Sequence, residues 1–479
     1  MSVETGGIAN KRPRDAMGAA AVQGFNESAK KRPHRALIVL PLKYGRTLTL
    51  PYLGDGTPPR LIGKGCYSSV YGGVIIEQHP TDSALDYRVN CAIKVIDPNL
   101  VTNAESHDSD ACARLDWLNS LREFAILVDF WGARDPGHKQ ISQLIDAVVG
   151  DDGVSVALIF HQYSGSLLHA LKAERPSPER MRSQVRQLLS AFDFMHRRNL
   201  VNGDPKPDNI LIGVSMPATG ARAPVADAET LADAETLAVC DFGLTQLAHV
   251  DHGLIMSMSY RPPDVYYAWE RRPATDLPAL ALTIAELARR TYTETEAAAC
   301  IMLPLTTKLH PISEYIKLVG IETEADREFI VRSLIEYSRK DSTGGLDSYI
   351  KNLQLRPLIP SPLRTEIAHM SGSDALADLV MRLAAHDPAK RICAREALAH
   401  EYFTADCGTQ SGDSPLSRSS PLPCSPPLLE TVEFEPMPVL TQFNRWVADH
   451  ALTTEFLIEV TRHIYKEFEQ KVKTIGNFM

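Results

Sequence analysis

The chain has 479 residues, 44% hydrophobic and 23% charged, enough to bury a large core in a two-lobed domain with extensions. A formal charge of −9, from 50 basic and 59 acidic residues, argues against polyanion binding as the main task and so against direct nucleic-acid binding. There is no apolar run of about eighteen residues and no signal-peptide pattern, and the eight cysteines (66, 91, 112, 240, 300, 393, 407, 424) lack C-x-x-C spacing; together these imply a soluble, non-secreted protein with free thiols, no membrane contact and no zinc site.

Residues 1–45 read as a disordered tail with two basic clusters, Lys11-Arg12-Pro13-Arg14 and Lys30-Lys31-Arg32-Pro33-His34-Arg35. Such clusters fit a nuclear-import signal or a solvated basic arm, so the expected location is nucleus and/or cytoplasm. From Ala36 short apolar runs broken by turns predict strands. Leu61-Ile62-Gly63-Lys64-Gly65-Cys66-Tyr67-Ser68-Ser69-Val70 has a G-x-G-x-x-S-x-V pattern, which alone is no more than a glycine hairpin. The strands Val74–Ile76 and Val89–Ile96 follow, the second carrying Ala92-Ile93-Lys94.

Leu121, Phe124 and Leu127 or Val128 recur at helical spacing beside Glu123, while the polar stretch Ser106–Asp110 reads as an insertion. Two further strands, Ile141–Val149 and Val154–Phe160, are joined by a Gly150-Asp151-Asp152-Gly153 turn. Ser177-Pro178-Glu179 supplies an N-cap, a proline in the first turn and an acid for the dipole; Met181, Val185, Leu188, Leu189, Phe192 and Met195 then mark one buried face. His196, at the end of that helix, reads as a charge partner for its dipole.

The loop Leu200–Leu211 packs Asp204, Lys206 and Asn209 into one Pro-rich turn, and the short strand Leu237–Val239 leads into Asp241-Phe242-Gly243. Between them, Asp227–Ala232 is repeated at once as Asp233–Ala238, a tandem duplication too short for a repeat fold. Farther on come Ser257–Asp264, the helix opened by Asp276, Arg391 in Asp387-Pro388-Ala389-Lys390-Arg391, and a closing helix at Glu396–Phe403. Gly408–Pro427 is Ser/Pro-rich, and Phe456, Val460, Ile464, Phe468, Val472 and Ile475 then form a helical stripe.

The D-x-K-x-x-N element followed by D-F-G, with the glycine hairpin and A-I-K before it, resembles the protein kinase family, in its serine/threonine-specific form because of Lys206. The resemblance implies an α+β, two-lobed fold: small antiparallel lobe with one helix at 46–163, mainly helical large lobe at 164–406, then a linker at 407–430 and a helical extension at 431–479. It implies ATP and Mg²⁺ as cofactors and protein substrates. Asp204 would accept or orient the substrate proton, Lys206 steady the phosphoryl group, and Asn209 and Asp241 hold Mg²⁺. Ile62 through Val70 would cover the phosphates, and Lys94 would pair with them, aimed by Glu123, with Glu105 and Asp116 as rivals. Val70 and Ala92 would line the adenine pocket, Phe160 close its back, and His161, Gln162 and Tyr163 form the hinge. Ser257 would lie beside Asp204 and Lys206, Asp264 pair with Arg391, and Asp276 hold the catalytic-loop backbone or simply cap its helix.

The sequence also departs from the family. Asn202 and Gly203 stand where His and Arg usually precede the aspartate, and Ser68 where the third glycine sits, which leaves an inactive scaffold as an alternative. A small-molecule phosphotransferase would share the loop but lack the Tyr260–Asp264 segment and its Arg391 partner. The missing arginine implies activity without activation-loop phosphorylation. The terminal helix would dock on the large lobe or bind a partner. In style the chain is similar to kinases of large DNA viruses of the herpesvirus kind.

Overall fold

A computed structural model describes residues 38–41, 46–50, 60–64, 68–77, 87–96, 107–150, 156–214, 235–250, 256–267, 271–293, 311–340, 347–404 and 436–476. The two basic clusters, the Ser/Pro-rich linker, Glu105 and the hairpin tip Gly65, Cys66 and Tyr67 lie outside them. The chain forms two compact units. One takes the described residues up to Trp131, then Gln143–Gln162 and the chain from Gln442; the other takes Gly132–Ser142 and Tyr163–Thr441.

The first unit is built on an antiparallel sheet of β1 (Ile38–Pro41), β2 (Arg46–Leu50), β3 (Leu61–Lys64), β4 (Ser69–Glu77), β5 (Tyr87–Ile96), β6 (Leu144–Val149) and β7 (Val156–His161), ordered β1-β2-β4-β5-β7-β6 with β3 on β4. Side chains alternate across a strand, so one face buries Tyr71, Cys91, Ile93, Val95, Ala157 and Ile159 as a single cluster. Burial pushes the Cys91 thiol up to about 12, as expected of a thiol acting as a small core hydrophobe.

The helix α1 runs His107–Phe130 and includes residues the sequence suggested were an insertion. The sixth strand likewise begins later than expected, at Leu144, and Ile141 instead makes an isolated parallel bridge to Val239; Val154, the expected start of the seventh, lies outside the described residues.

The second unit opens with β8 (Gly165–Ser166), α2 (Leu167–Ala173) and α3 (Pro178–His196), where the Ser177 hydroxyl accepts from Arg180 N at 3.2 Å and all six expected apolar positions are buried. Strands β9 (Leu200–Val201), β10 (Ile210–Val214), β11 (Glu235–Val239) and β12 (Gln246–Leu247) follow, with β12 on β9 and β11-β10-β8 as a small sheet. Those pairings hold the segments before Asp204 and around Asp241. The second copy of the duplication enters β11, and its Glu235 carboxylate takes two bonds from Arg180, at 2.7 and 2.8 Å, tying the strand to α3.

Helices α4 (Pro263–Tyr266) and α5 (Leu277–Tyr292) come next; 13 of the 16 residues of α5 are buried, so it is the unit's central helix. Of the helices that follow, α6 (Pro311–Val319), α7 (Glu324–Lys340), α8 (Asp347–Leu355), α9 (Pro362–Ser371), α10 (Asp374–Leu383) and α11 (Ala394–Leu398), α9 and α10 pack on α5, α6 on α9, α7 on α8 and α11 on α3.

The last helices, α12 (Pro438–Asp449) and α13 (Thr454–Gly476), correct an expectation. Helix α13, in the C-terminal extension, packs on α1 and β6 of the first unit, whereas the sequence favoured docking on the large lobe. Its buried stripe, Leu457, Val460, Thr461, Ile464, Phe468 and Val472, meets the apolar surface of α1, which the sheet alone does not cover. Among the described residues no helix is long and apolar enough to cross a membrane.

Candidate active site

In the second unit the turn after β9 gathers the polar residues around one carboxylate. Asp204 Oδ1 accepts from Ser257 N at 2.9 Å; Oδ2 accepts from Lys206 Nζ and, at 3.0 Å, from Asn209 Nδ2, which also donates to the Asp204 carbonyl at 3.1 Å. Lys206 Nζ donates to Ser257 Oγ as well, at 2.9 Å. Three residues from two segments thus fix one carboxylate in a single orientation, with Lys206 half-buried beside it. The structure brings together Asp204, Lys206, Asn209 and Ser257.

The backbone that carries them is clamped from below. The Asp276 carboxylate, fully buried, accepts from Asn202 N at 2.7 Å and from Gly203 N at 2.9 Å. Although Asp276 stands at the N-cap position of α5, its side chain makes no cap bond; it is spent on the loop. His196 Nε2 lies 3.1 Å from Asp276 Oδ2, so this histidine orients the clamp and is not a free partner for its own helix dipole, as the sequence had suggested. Thr245 Oγ1 donates to the Asn202 carbonyl at 2.8 Å and Thr283 Oγ1 to the Pro205 carbonyl at 3.2 Å. Sequence reasoning missed both threonines; Thr283, a polar residue inside an apolar helix, was the only visible signal.

The two departures acquire local roles. Asn202 Oδ1 accepts from Asp204 N at 3.2 Å, an Asx-type turn that presets the aspartate. Gly203 has φ +81°, and a Cβ there would stand 2.8 Å from the Leu244 carbonyl oxygen, so no side chain fits without a shift. Asp241 also has positive φ, +62°, a strained backbone for a non-glycine residue, with an exposed side chain; Phe242 beside it is fully buried.

Beyond the loop, Arg391 and Asp264 form a buried double hydrogen bond, both N–O distances 3.0 Å. Tyr260 Oη donates to Glu286 Oε2 of α5 at 2.9 Å, and Arg261 folds back onto the Met256 carbonyl at 2.7 and 3.2 Å. The Ser257–Asp264 segment is therefore held at both ends by its own unit.

In the first unit Lys94 Nζ is hydrogen-bonded to Glu123, across 29 residues, with the glutamate side chain almost fully buried. That pairing chooses Glu123 over Asp116; Glu105 lies outside the described residues. The register puts Val70 opposite Lys94, Phe160 opposite Ala92 and Leu158 opposite Lys94, so Val70, Ala92, Lys94 and Phe160 share one sheet face. Gly63 pairs with Val70 and Lys64 with Ser69, with Ile62 on β3 and Ser68 just before β4; Gln162 N reaches the Asn90 carbonyl at 3.4 Å. Tyr163 belongs to the second unit, and burial raises its phenol above the ordinary range.

The donor set of the second unit suits a hard cation. With Nδ2 of Asn209 committed to Asp204, its Oδ1 is the end of the amide that can ligate, and Asp241 adds an exposed carboxylate oxygen. Oxygen ligands without thiols or imidazoles fit Mg²⁺ rather than zinc.

Residues 58–403 match the protein kinase domain. The chain is 28% identical over 268 residues to the serine/threonine-protein kinase AFC1 of Arabidopsis thaliana, covering 52% of this chain and 55% of that one. It is 25% identical over 356 residues to mitogen-activated protein kinase 4 of Oryza sativa subsp. japonica, covering 72% and 78%. To the cyclin-dependent kinase E-1 of Arabidopsis thaliana it is 22% identical over 336 residues, covering 67% and 63%.

Proposed function

The chain belongs to the protein kinase family, and from that premise we propose that it transfers the γ-phosphate of ATP to serine or threonine side chains of protein substrates. The observation that carries this reading is the cluster of Asp204, Lys206, Asn209 and Ser257, in which one oriented carboxylate lies beside one ammonium. Phosphoryl transfer asks a protein chiefly for positioning and charge neutralisation, and this cluster supplies both. Asp204 would take up or orient the proton of the incoming hydroxyl. Lys206 would offset charge on the transferring group. Asn209 and Asp241 would hold Mg²⁺, which when bound neutralises the phosphate oxygens; Lys94, aimed by Glu123, would pair with the phosphates.

The Arg391–Asp264 pair and the Tyr260 anchor favour a protein over a small molecule as acceptor, because they brace the segment the resemblance assigns to peptide substrates. The intact set of Lys94, Glu123, Asp204, Lys206, Asn209 and Asp241 favours an active enzyme over a scaffold. The basic clusters of the first 35 residues support a location in the nucleus as well as the cytoplasm, and alanine at both is expected to exclude a fluorescent fusion from the nucleus.

The deciding experiment is transfer of labelled γ-phosphate from Mg·ATP to generic protein substrates by the wild type and by Asp204→Asn. Label on serine or threonine that disappears in the variant supports the proposal. Bound ATP with no transfer by the wild type would replace it with the scaffold reading, and label confined to tyrosine would overturn the specificity.

A further inference from the structure

Helix α1, which carries Glu123, has no basic residue in its last turn, so nothing of its own offsets the negative end of its dipole there. The missing cation arrives from the far end of the chain. Lys471 Nζ of α13 donates to the carbonyl of Val128 at 3.0 Å and lies 3.4 Å from both the carbonyl and the carboxylate of Asp129, whose side chain is buried. One turn away, the fully buried Phe468 ring packs on Phe124, the neighbour of Glu123, with centroids 6.1 Å apart, and edge-on to Trp131 at 5.0 Å. Phe443 of α12, also buried, covers the Arg122 guanidinium at 5.9 Å, on the other side of Glu123 in sequence.

The contacts therefore converge on the turns that flank Glu123 and on the end of the helix that bears it. We propose that α13 is a built-in brace for α1: Phe468 and Lys471 are positioning residues that hold Glu123 where it pairs with Lys94, so that the chain itself, and not a separate partner, occupies this face of the helix. The consequence for catalysis rests on the kinase reading. The brace itself does not.

The test uses the full chain as wild type, Lys471→Ala, Lys471→Arg and Phe468→Ala. Hydrogen exchange is followed in peptides covering residues 118–131 and, as a control, 277–292, and acetylation of Lys94 by an amine-reactive reagent is quantified by mass spectrometry. Losing a cation at a helix C-terminus corresponds to about two- to fivefold faster exchange, expected for Lys471→Ala in the first peptide only, with faster acetylation of Lys94. Phe468→Ala is expected to act in the same direction and more strongly, and Lys471→Arg to restore the wild-type pattern. Phosphoryl transfer should fall in the same order. Unchanged exchange at 118–131 and unchanged Lys94 acetylation in Lys471→Ala and Phe468→Ala would overturn the brace, as would equal acceleration of both peptides, which marks general destabilisation. A wild type that transfers no phosphate would end the kinase reading, while exchange and acetylation would still decide the brace.

Discussion

Arg391 and Asp264 stand 127 residues apart in the chain and meet as a guanidinium fork on a carboxylate, both N–O distances 3.0 Å, both side chains buried. Arg391 also donates to the carbonyls of Ala385 and Ala274, each at 2.8 Å, so one side chain ties three segments of the second unit together. Removing one member of such a pair leaves the other charge buried and uncompensated. Arg391→Ala is expected to destabilise the second unit by about 3–5 kcal/mol, read as a lowered denaturant midpoint. Arg391→Lys should recover only part of this, because an ammonium cannot make two parallel bonds. An unchanged midpoint for Arg391→Ala would refute the assignment.

Asp276 offers a sharper separation of stability from activity. Its two oxygens accept from consecutive backbone N–H groups, Asn202 and Gly203. In Asp276→Asn one of those donors faces an amide NH₂ and goes unsatisfied, at a cost of about 1–3 kcal/mol. Because that donor sits next to Asp204, kcat is expected to fall by roughly tenfold or more, a 1 Å shift at a reacting group being enough for such a loss. Steady-state kinetics beside thermal melts check it: a melt shift without a kcat change would reduce Asp276 to a structural residue.

How much of this was legible in the sequence depended on whether a residue acts through local spacing. Asp204, Lys206 and Asn209 sit within one turn, and the hydrophobic face of α3 repeats at helical spacing, so both could be read directly. Lys94 and Glu123 needed a family resemblance to be paired, since 29 residues separate them and Asp116 fits the helix equally well. His196 was visible but assigned to its own helix end; its partner Asp276 lies 80 residues on, and nothing in local pattern joins them. Of the expected α13 stripe, Val460, Ile464, Phe468 and Val472 are buried, Phe456 is half-buried and the Ile475 side chain lies outside the described residues; the pattern could not say against what the face packs, because an amphipathic face encodes burial and no address. The cation that completes α1 comes from 343 residues away for the same reason.

Gly203 makes a prediction about regulation. With φ +81° and the Leu244 carbonyl 2.8 Å from a would-be Cβ, the position excludes side chains, including the arginine that elsewhere in the resemblance would dock a phosphate. The work of holding the neighbouring segment falls to Arg261 on the Met256 carbonyl and to the Ser257 contacts. Phosphatase treatment is therefore expected to leave transfer activity unchanged. Gly203→Ala should destabilise the second unit by about 1–2 kcal/mol from the left-handed backbone alone, measured by denaturant unfolding. Activity lost on phosphatase treatment would show that a phosphate does the bracing after all.

His386 is expected to contribute to the acid sensitivity of the second unit. Burial lowers its pKa below the ordinary histidine value, and its Nε2 donates to the Gly320 carbonyl at 2.7 Å while its ring lies edge-on to Tyr315 at 5.7 Å. The neighbouring charges partly oppose each other: Asp326 and Asp264 favour the protonated ring, Arg391 disfavours it. With the folded pKa depressed, the unfolded chain binds the proton first as pH falls below about 6.5, so stability must decline from there down through the folded pKa. Replacing the ring by Gln removes this titration. His386→Gln is expected to be less stable at pH 7.5, having lost a buried ring contact, yet to show a flatter fall in unfolding free energy between about pH 6.5 and 5. Parallel slopes for wild type and variant over that interval would assign the acid sensitivity to other groups; Asp326, whose carboxyl is held below its usual range, would contribute only at pH values below that interval.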